Sequence, residues 1–228
     1  IFLKFIYKIV NGSHHMENVV KNYNLIKQEI QKNSNVKLVA VTKTFPIKHI
    51  LPIINIDHIH FGENKVQEAQ EKWTSIKSDF PKIKLHLIGK LQTNKVKFAI
   101  PLFDYIHSLD SEKLASKIAD VQIKKGFKPK IFIQINIGEE PQKGGIDVNQ
   151  LEAFYKKCLD IYNLNIIGLM CIPPFDKNSA PYFEKMQNLS KNLNLNDISM
   201  GMSDDYLEAI KFGSTYIRIG SKIFGKRN

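Results

Sequence analysis

Lys43 closes the apolar run Leu38-Val39-Ala40-Val41-Thr42 and is followed at once by Thr44, Phe45 and Pro46. A run of that length stopped by proline predicts a short buried strand that ends on a lysine. Burial disfavours the ammonium, lowers its pKa and leaves an amine that can attack a carbonyl. The same position also suits a solvated lysine at a strand end. Two further stretches carry chemistry, Met200-Gly201-Met202-Ser203-Asp204-Asp205 and Arg218-Ile219-Gly220-Ser221. Ser203 before two acids predicts a helix start, where a hydroxyl and the following N–H groups make an anion pocket. Gly220 and Ser221 add a backbone N–H that no side chain shields. Arg218 stands between Ile217 and Ile219. A guanidinium in such a run is costly to bury alone, so it needs either an ion pair with a neighbouring strand or a ligand atom to donate to.

These residues must be positioned by repeating elements. Apolar residues at Val19, Val20, Tyr23, Ile26 and Ile30 have helical spacing and predict a helix over 16–32. Strand-like runs then recur at 38–41, 58–61, 84–88, 105–109, 130–135, 166–171, 197–202 and 216–219. Helical segments are predicted between them at 64–76, 111–125, 149–162, 180–193 and 204–212, with shorter connections after the first and third strands. Ser111 and Ser203 are the start signals, and Gly126 and Gly213 sit where C-terminal caps belong. Strands alternating with helices build a parallel sheet. Eight such units after one extra N-terminal helix predict an α/β fold, a single (β/α)8 TIM-type barrel near that architecture's usual size of about 250 residues; an open doubly wound sheet is the alternative.

Barrel enzymes place their chemistry on the loops at the C-terminal ends of the strands and often bind phosphate after strands seven and eight. Lys43 lies after the first strand, Ser203 after the seventh, and Arg218, Gly220 and Ser221 on and after the eighth. A carbonyl-reactive lysine, a phosphate cup and a cation for a ring nitrogen together describe a pyridoxal 5′-phosphate site. Other chemistries fit less well. His60, His86 and His107 fall on three successive strands but lack a consistent carboxylate set for a metal. There is no nucleophile elbow, P-loop or dinucleotide glycine pattern, and Cys171 near a strand end suits a small buried hydrophobe.

The 228 residues, 43% hydrophobic, suit one sizeable domain. Residues 1–15 stand apart: an apolar run broken by Lys4 and Lys8, then Gly12-Ser13-His14-His15 before Met16. They read as an N-terminal extension or expression remnant preceding a binding domain at 16–228. Two cysteines, Cys158 and Cys171, cannot form a disulfide framework, which favours a reducing compartment, the cytoplasm. No apolar run reaches the ~20 residues of a membrane span. The net charge of +11 invites a nucleic-acid reading, but only Arg218 and Arg227 among 33 basic residues are arginines, and the lysines are interleaved with acids. Base readout and phosphate forks favour arginine, so a nucleic-acid partner is not expected.

Several segments in order carry a family resemblance. They are 38–44, Phe61-Gly62-Glu63-Asn64, His86-Leu87-Ile88-Gly89, Leu91-Gln92-Thr93-Asn94-Lys95, Gly168-Leu169-Met170, 199–206, Arg218-Ile219-Gly220-Ser221 and Ile223-Phe224-Gly225. Over 16–225 the chain resembles the pyridoxal phosphate homeostasis proteins (YggS/PROSC type), single-domain relatives of the alanine racemase barrel. The resemblance implies that Lys43 carries the cofactor as a Schiff base, that Ser203, Gly220 and Ser221 hold its phosphate, and that Arg218 faces the pyridine nitrogen. Asn64 and Met200 complete the implied cofactor-binding set, with no catalytic residue and no metal. Lys65 and Lys90 depart from the family pattern, and the extension before Met16 has no counterpart in it.

The resemblance further implies intracellular vitamin B6 homeostasis without turnover, with apo-enzymes as cofactor acceptors and the chain a monomer or weak dimer. The alternative is a pyridoxal phosphate-dependent amino-acid racemase. Racemisation needs a second base, which alanine racemase draws from a further domain, whereas this chain ends just after its eighth strand. An arginine at the ring nitrogen also opposes protonation there, because adjacent cations are disfavoured.

Overall fold

The computed structural model describes residues 14–33, 35–175 and 178–225. Most of the predicted extension therefore lies outside the described residues. Only His14 and His15 fall within them, at the start of helix α1 (His14–Ile30), which begins two residues before Met16. Val19, Tyr23, Ile26 and Ile30 are buried along one face. Full burial of each such aliphatic residue contributes about 1.5–3 kcal/mol. Asn22 Nδ2 donates to the carbonyl of Ile223 at 3.2 Å, tying α1 to the last helix.

Eight parallel strands close into one barrel in sequence order. They are β1 (Lys37–Val41), β2 (His60–Glu63), β3 (Lys84–Leu87), β4 (Tyr105–Leu109), β5 (Lys130–Gln134), β6 (Asn165–Met170), β7 (Asp197–Ser199) and β8 (Tyr216–Ile219). The seam is β1 against β8, with Val39 opposite Arg218 and Ala40 opposite Ile219. The connections carry α2 (Ile47–Ile54), α3 (Val66–Asp79), α4 (Val96–Ala99), α5 (Glu112–Lys125), α6 (Leu151–Asp160), α7 (Ala180–Asn192), α8 (Tyr206–Lys211) and, after β8, α9 (Ser221–Phe224). The alternative of an open sheet is excluded by that closure.

Local chemistry explains most boundaries. Ser111 caps α5 by accepting from the Leu114 N–H at 3.2 Å, and Gly126 ends it at φ 63°. Val66, Ala69, Trp73 and Ile76 form the buried stripe of α3. The second strand lies two residues later than its predicted 58–61, because His58 is engaged locally, its Nε2 2.8 Å from the carbonyl of His60. The seventh strand stops at Ser199 instead of reaching residue 202. Gly201 there adopts φ +94°, which turns the chain, and a Cβ at this position would meet Ala209 Cβ at 2.7 Å. The helix predicted at 204 starts at Tyr206.

The apolar core lies mainly between the helices and the strands. Inside the barrel is a second cluster, Val39, Tyr105, Phe132, Met170 and Tyr216. Two imidazoles stack on it. His86 lies on Tyr105 with ring centres 4.1 Å apart, and His107 lies on Phe132 at 4.4 Å.

Candidate functional site

The end of β1 is pinned before it presents Lys43. The Thr42 N–H donates to the Gly62 carbonyl at 2.9 Å, and its hydroxyl donates to Glu63 Oε1 at 2.6 Å. Glu63 Oε1 also accepts from Lys72 Nζ at 2.8 Å and from Trp73 Nε1 at 2.9 Å. Lys72 Nζ donates in addition to the Thr42 carbonyl at 2.8 Å and to Glu68 at 3.0 Å. Glu68 in turn accepts the Thr44 N–H at 2.6 Å, which holds Thr44 at φ 67°, a left-handed conformation rare outside glycine. Half-buried Lys43 therefore sits on a turn fixed on both flanks by a charge network that is buried at Glu63 and half-buried at Lys72. In the sequence Glu63 stands out only within the segment Phe61-Gly62-Glu63-Asn64, and its partners are not foreseen. The spacing of Glu68 and Lys72, four residues apart on one helix, was the available signal.

The loops after β7 and β8 meet as expected. The Ser221 hydroxyl lies 3.1 Å from that of Ser203. A Cβ on Gly220 would lie 3.1 Å from the Val41 carbonyl, so the end of β8 rests against the strand that leads to Lys43. The predicted role of Ser203 as a helix cap needs correction. Asp205 is the N-cap residue of α8, and its Oδ1 accepts the Met202 N–H at 2.7 Å. Ser203 stands in the turn before it, its hydroxyl directed to Ser221. Met200 is fully buried, and its carbonyl accepts from Ser214 Oγ at 2.6 Å. Asn64 is half-buried after β2, and a Cβ on Gly89 would collide with its carbonyl, so the loops after β2 and β3 touch there.

Arg218 is 4% exposed. Its Nη1 donates to Ser199 Oγ at 2.5 Å and its Nη2 to the Cys171 carbonyl at 2.9 Å. Among the described residues no carboxylate pairs with it, which removes the ion-pair explanation. Burial lowers its pKa. Burial likewise pushes the Cys171 thiol up to about 12, so this cysteine is not a nucleophile. A buried guanidinium held by neutral acceptors and paired with no carboxylate can satisfy an electron-rich ligand atom. Lys43, Ser203, Gly220, Ser221 and Arg218 thus stand at the C-terminal ends of β1, β7 and β8, neighbours around the closure seam.

The model of the alanine racemase N-terminal domain family matches residues 15–228. A pyridoxal phosphate homeostasis protein of Haemophilus influenzae is 37% identical over 229 residues, 92% of this chain and 97% of its own length. One of Aquifex aeolicus is 37% identical over 200 residues, 84% of this chain and 87% of its own. The structure of PipY of Synechococcus elongatus with PLP bound superposes with a TM-score of 0.84 at 32% identity, covering 91% of this chain and all of that one.

Proposed function

The chain belongs to the pyridoxal phosphate homeostasis proteins, within the alanine racemase N-terminal domain family, and on that premise we propose that it binds pyridoxal 5′-phosphate reversibly, in vitamin B6 homeostasis, without turnover. The observation that carries this reading is Arg218, a buried cation with no acidic partner among the described residues, in the same rim sector as Lys43 and the Ser203–Ser221 pair. Bound there, the cofactor supplies a reactive aldehyde and a pyridine ring. Lys43 holds the aldehyde as a Schiff base through Nζ, while Ser203, Ser221 and the Gly220 backbone hold the phosphate. Arg218 donates to the ring nitrogen, and Asn64 and Met200 border the pocket. The binding domain is 16–228.

Arg218 also supports the absence of turnover. A guanidinium opposite the ring nitrogen opposes its protonation, and an unprotonated ring is a poor sink for carbanions. The two cysteines are buried and unpaired, which supports a reducing compartment, the cytoplasm. No helix among the described residues is long and apolar enough to cross a membrane. We place the protein as a monomer or weak dimer that hands its cofactor to apo-enzymes. Cofactor-loaded protein incubated with L-alanine will yield no D-alanine, while an apo-enzyme acceptor mixed with it will regain activity. A D-alanine signal lost on Lys43→Ala would restore the racemase alternative.

The phosphate assignment has its own test. Ser203→Ala removes a hydrogen bond to a charged group, worth about 1.5–3 kcal/mol. Pyridoxal 5′-phosphate will then bind about tenfold or more weakly, and unphosphorylated pyridoxal will be indifferent. Equal losses for both ligands in a binding titration would place the phosphate elsewhere.

A further inference from the structure

A continuous chain of buried polar groups runs behind Arg218 across the barrel. Ser199 Oγ, which accepts from Arg218, lies 2.8 Å from His107 Nδ1. His107 Nε2 is 2.9 Å from His86 Nδ1, and His86 Nε2 is 2.9 Å from His60 Nδ1. These residues come from β8, β7, β4, β3 and β2. His86 and His107 are fully buried, and His60 is half-buried on the first residue of β2, facing the N-terminal mouth of the barrel.

We propose that His107, His86 and His60 are positioning residues for Arg218, joined to it through Ser199 as one hydrogen-bonded chain of fixed direction. The direction follows from arginine, which donates and cannot accept. Ser199 accepts from Arg218, and among the described residues His107 Nδ1 is the one other hydrogen-bond partner of its hydroxyl, so a buried O–H is satisfied only by donating to His107 Nδ1. A neutral His107 with an accepting Nδ1 carries its proton on Nε2 and donates it to His86 Nδ1. The same step repeats from His86 Nε2 to His60 Nδ1, which puts the last proton on His60 Nε2. All three imidazoles are therefore Nε2–H tautomers.

The surroundings keep the chain neutral, as this direction requires. Burial first, then neighbouring positive groups, holds His86 and His107 well below the ordinary histidine range. Burial, and then Lys37, Lys84 and Lys130, lower His60 to about 4 against the opposing pull of Asp104. Stacking on Tyr105 and Phe132 fixes two of the rings in plane. The chain supplies Arg218 with an acceptor whose own hydrogen is already committed, so the guanidinium is locked in rotation and its remaining donors point where Ser199 and the Cys171 carbonyl leave them.

The consequence for the cofactor rests on the proposed function; the direction of the chain does not. Nitrogen-15 correlation spectra of the histidine side chains, on protein with and without pyridoxal 5′-phosphate, will show Nε2–H at His60, His86 and His107. An Nδ1–H tautomer or a charged ring at His86 or His107 near neutral pH overturns the chain. Ser199→Thr and Ser199→Val differ only in a hydroxyl at equal size. The threonine variant will keep the cofactor's absorption band and affinity, and the valine variant will shift the band and lose about tenfold in affinity. His86→Gln, which can accept at one end and donate at the other, will keep the band that His86→Leu shifts, although residue 86 lies three hydrogen bonds away from Arg218. Equal behaviour within both pairs overturns the positioning role. If the variants do not fold, the tautomers decide. If the wild-type protein binds no pyridoxal 5′-phosphate, the proposed function fails while the tautomers still test the chain.

Discussion

Borohydride added to the cofactor-loaded protein will leave the label on the peptide that carries Lys43, and Lys43→Ala will abolish both the label and the yellow colour. The expectation rests on placement. Among 33 basic residues, Lys43 follows the strand that closes the barrel against β8, beside the loops that bear Ser203 and Ser221. The turn beneath it is held by the carboxylates of Glu63 and Glu68 through Thr42, Thr44 and Lys72. A covalent bond to a preorganised amine adds far more to retention than any single hydrogen bond, so its loss is the largest effect on binding foreseen for one substitution. Mass spectrometry of the reduced, digested protein gives the answer. Label on another lysine would move the site.

The largest expected effect on stability belongs to Glu63. Its Oε1 accepts from Thr42, Lys72 and Trp73, and its side chain is 0% exposed, with Lys72 at 9%. Glu63→Ala takes from the Lys72 ammonium its buried carboxylate partner, leaving it Glu68 and the Thr42 carbonyl, and leaves the Trp73 N–H and the Thr42 hydroxyl without this acceptor. Removing one partner of a buried ion pair costs about 3–5 kcal/mol. For a domain of this size each kcal/mol lowers Tm by roughly 2–4 °C, so a melt followed by circular dichroism will fall by roughly 6–20 °C. The double variant Glu63→Leu with Lys72→Met removes both charges together and will be more stable than Glu63→Leu alone. A double variant no more stable than that single one would show that the pair is not coupled. Because the same network holds the turn at Thr44, Glu63→Ala will also weaken cofactor binding by residues it does not touch.

Much of this architecture is a property of short stretches of sequence. The 3.6-residue spacing of Val19, Tyr23, Ile26 and Ile30 and the apolar strand runs were legible because each depends only on neighbours in the chain. So were the Ser111 cap, the Gly126 stop and the alternation that yields a parallel barrel. The candidate site was legible for a related reason: in such a barrel the residue after each strand reaches the rim, whatever its partners. Ser203 shows where this reasoning ends. Serine before two acids has the local signature of a cap, yet Asp205 holds the position at the head of α8, and the serine hydroxyl is left for Ser221. Only closure of the barrel decided the rest. His60, His86 and His107 were three separate histidines in the sequence, and Ser199 only opened a segment that matches the family, with no role of its own. Hydrogen bonds such as His107 to Ser199, 92 residues apart, exist because strand order and register bring inward-facing residues of β2, β3, β4, β7 and β8 into one interior. Strand periodicity sets which face a side chain takes, but not which side chain from another strand it will meet.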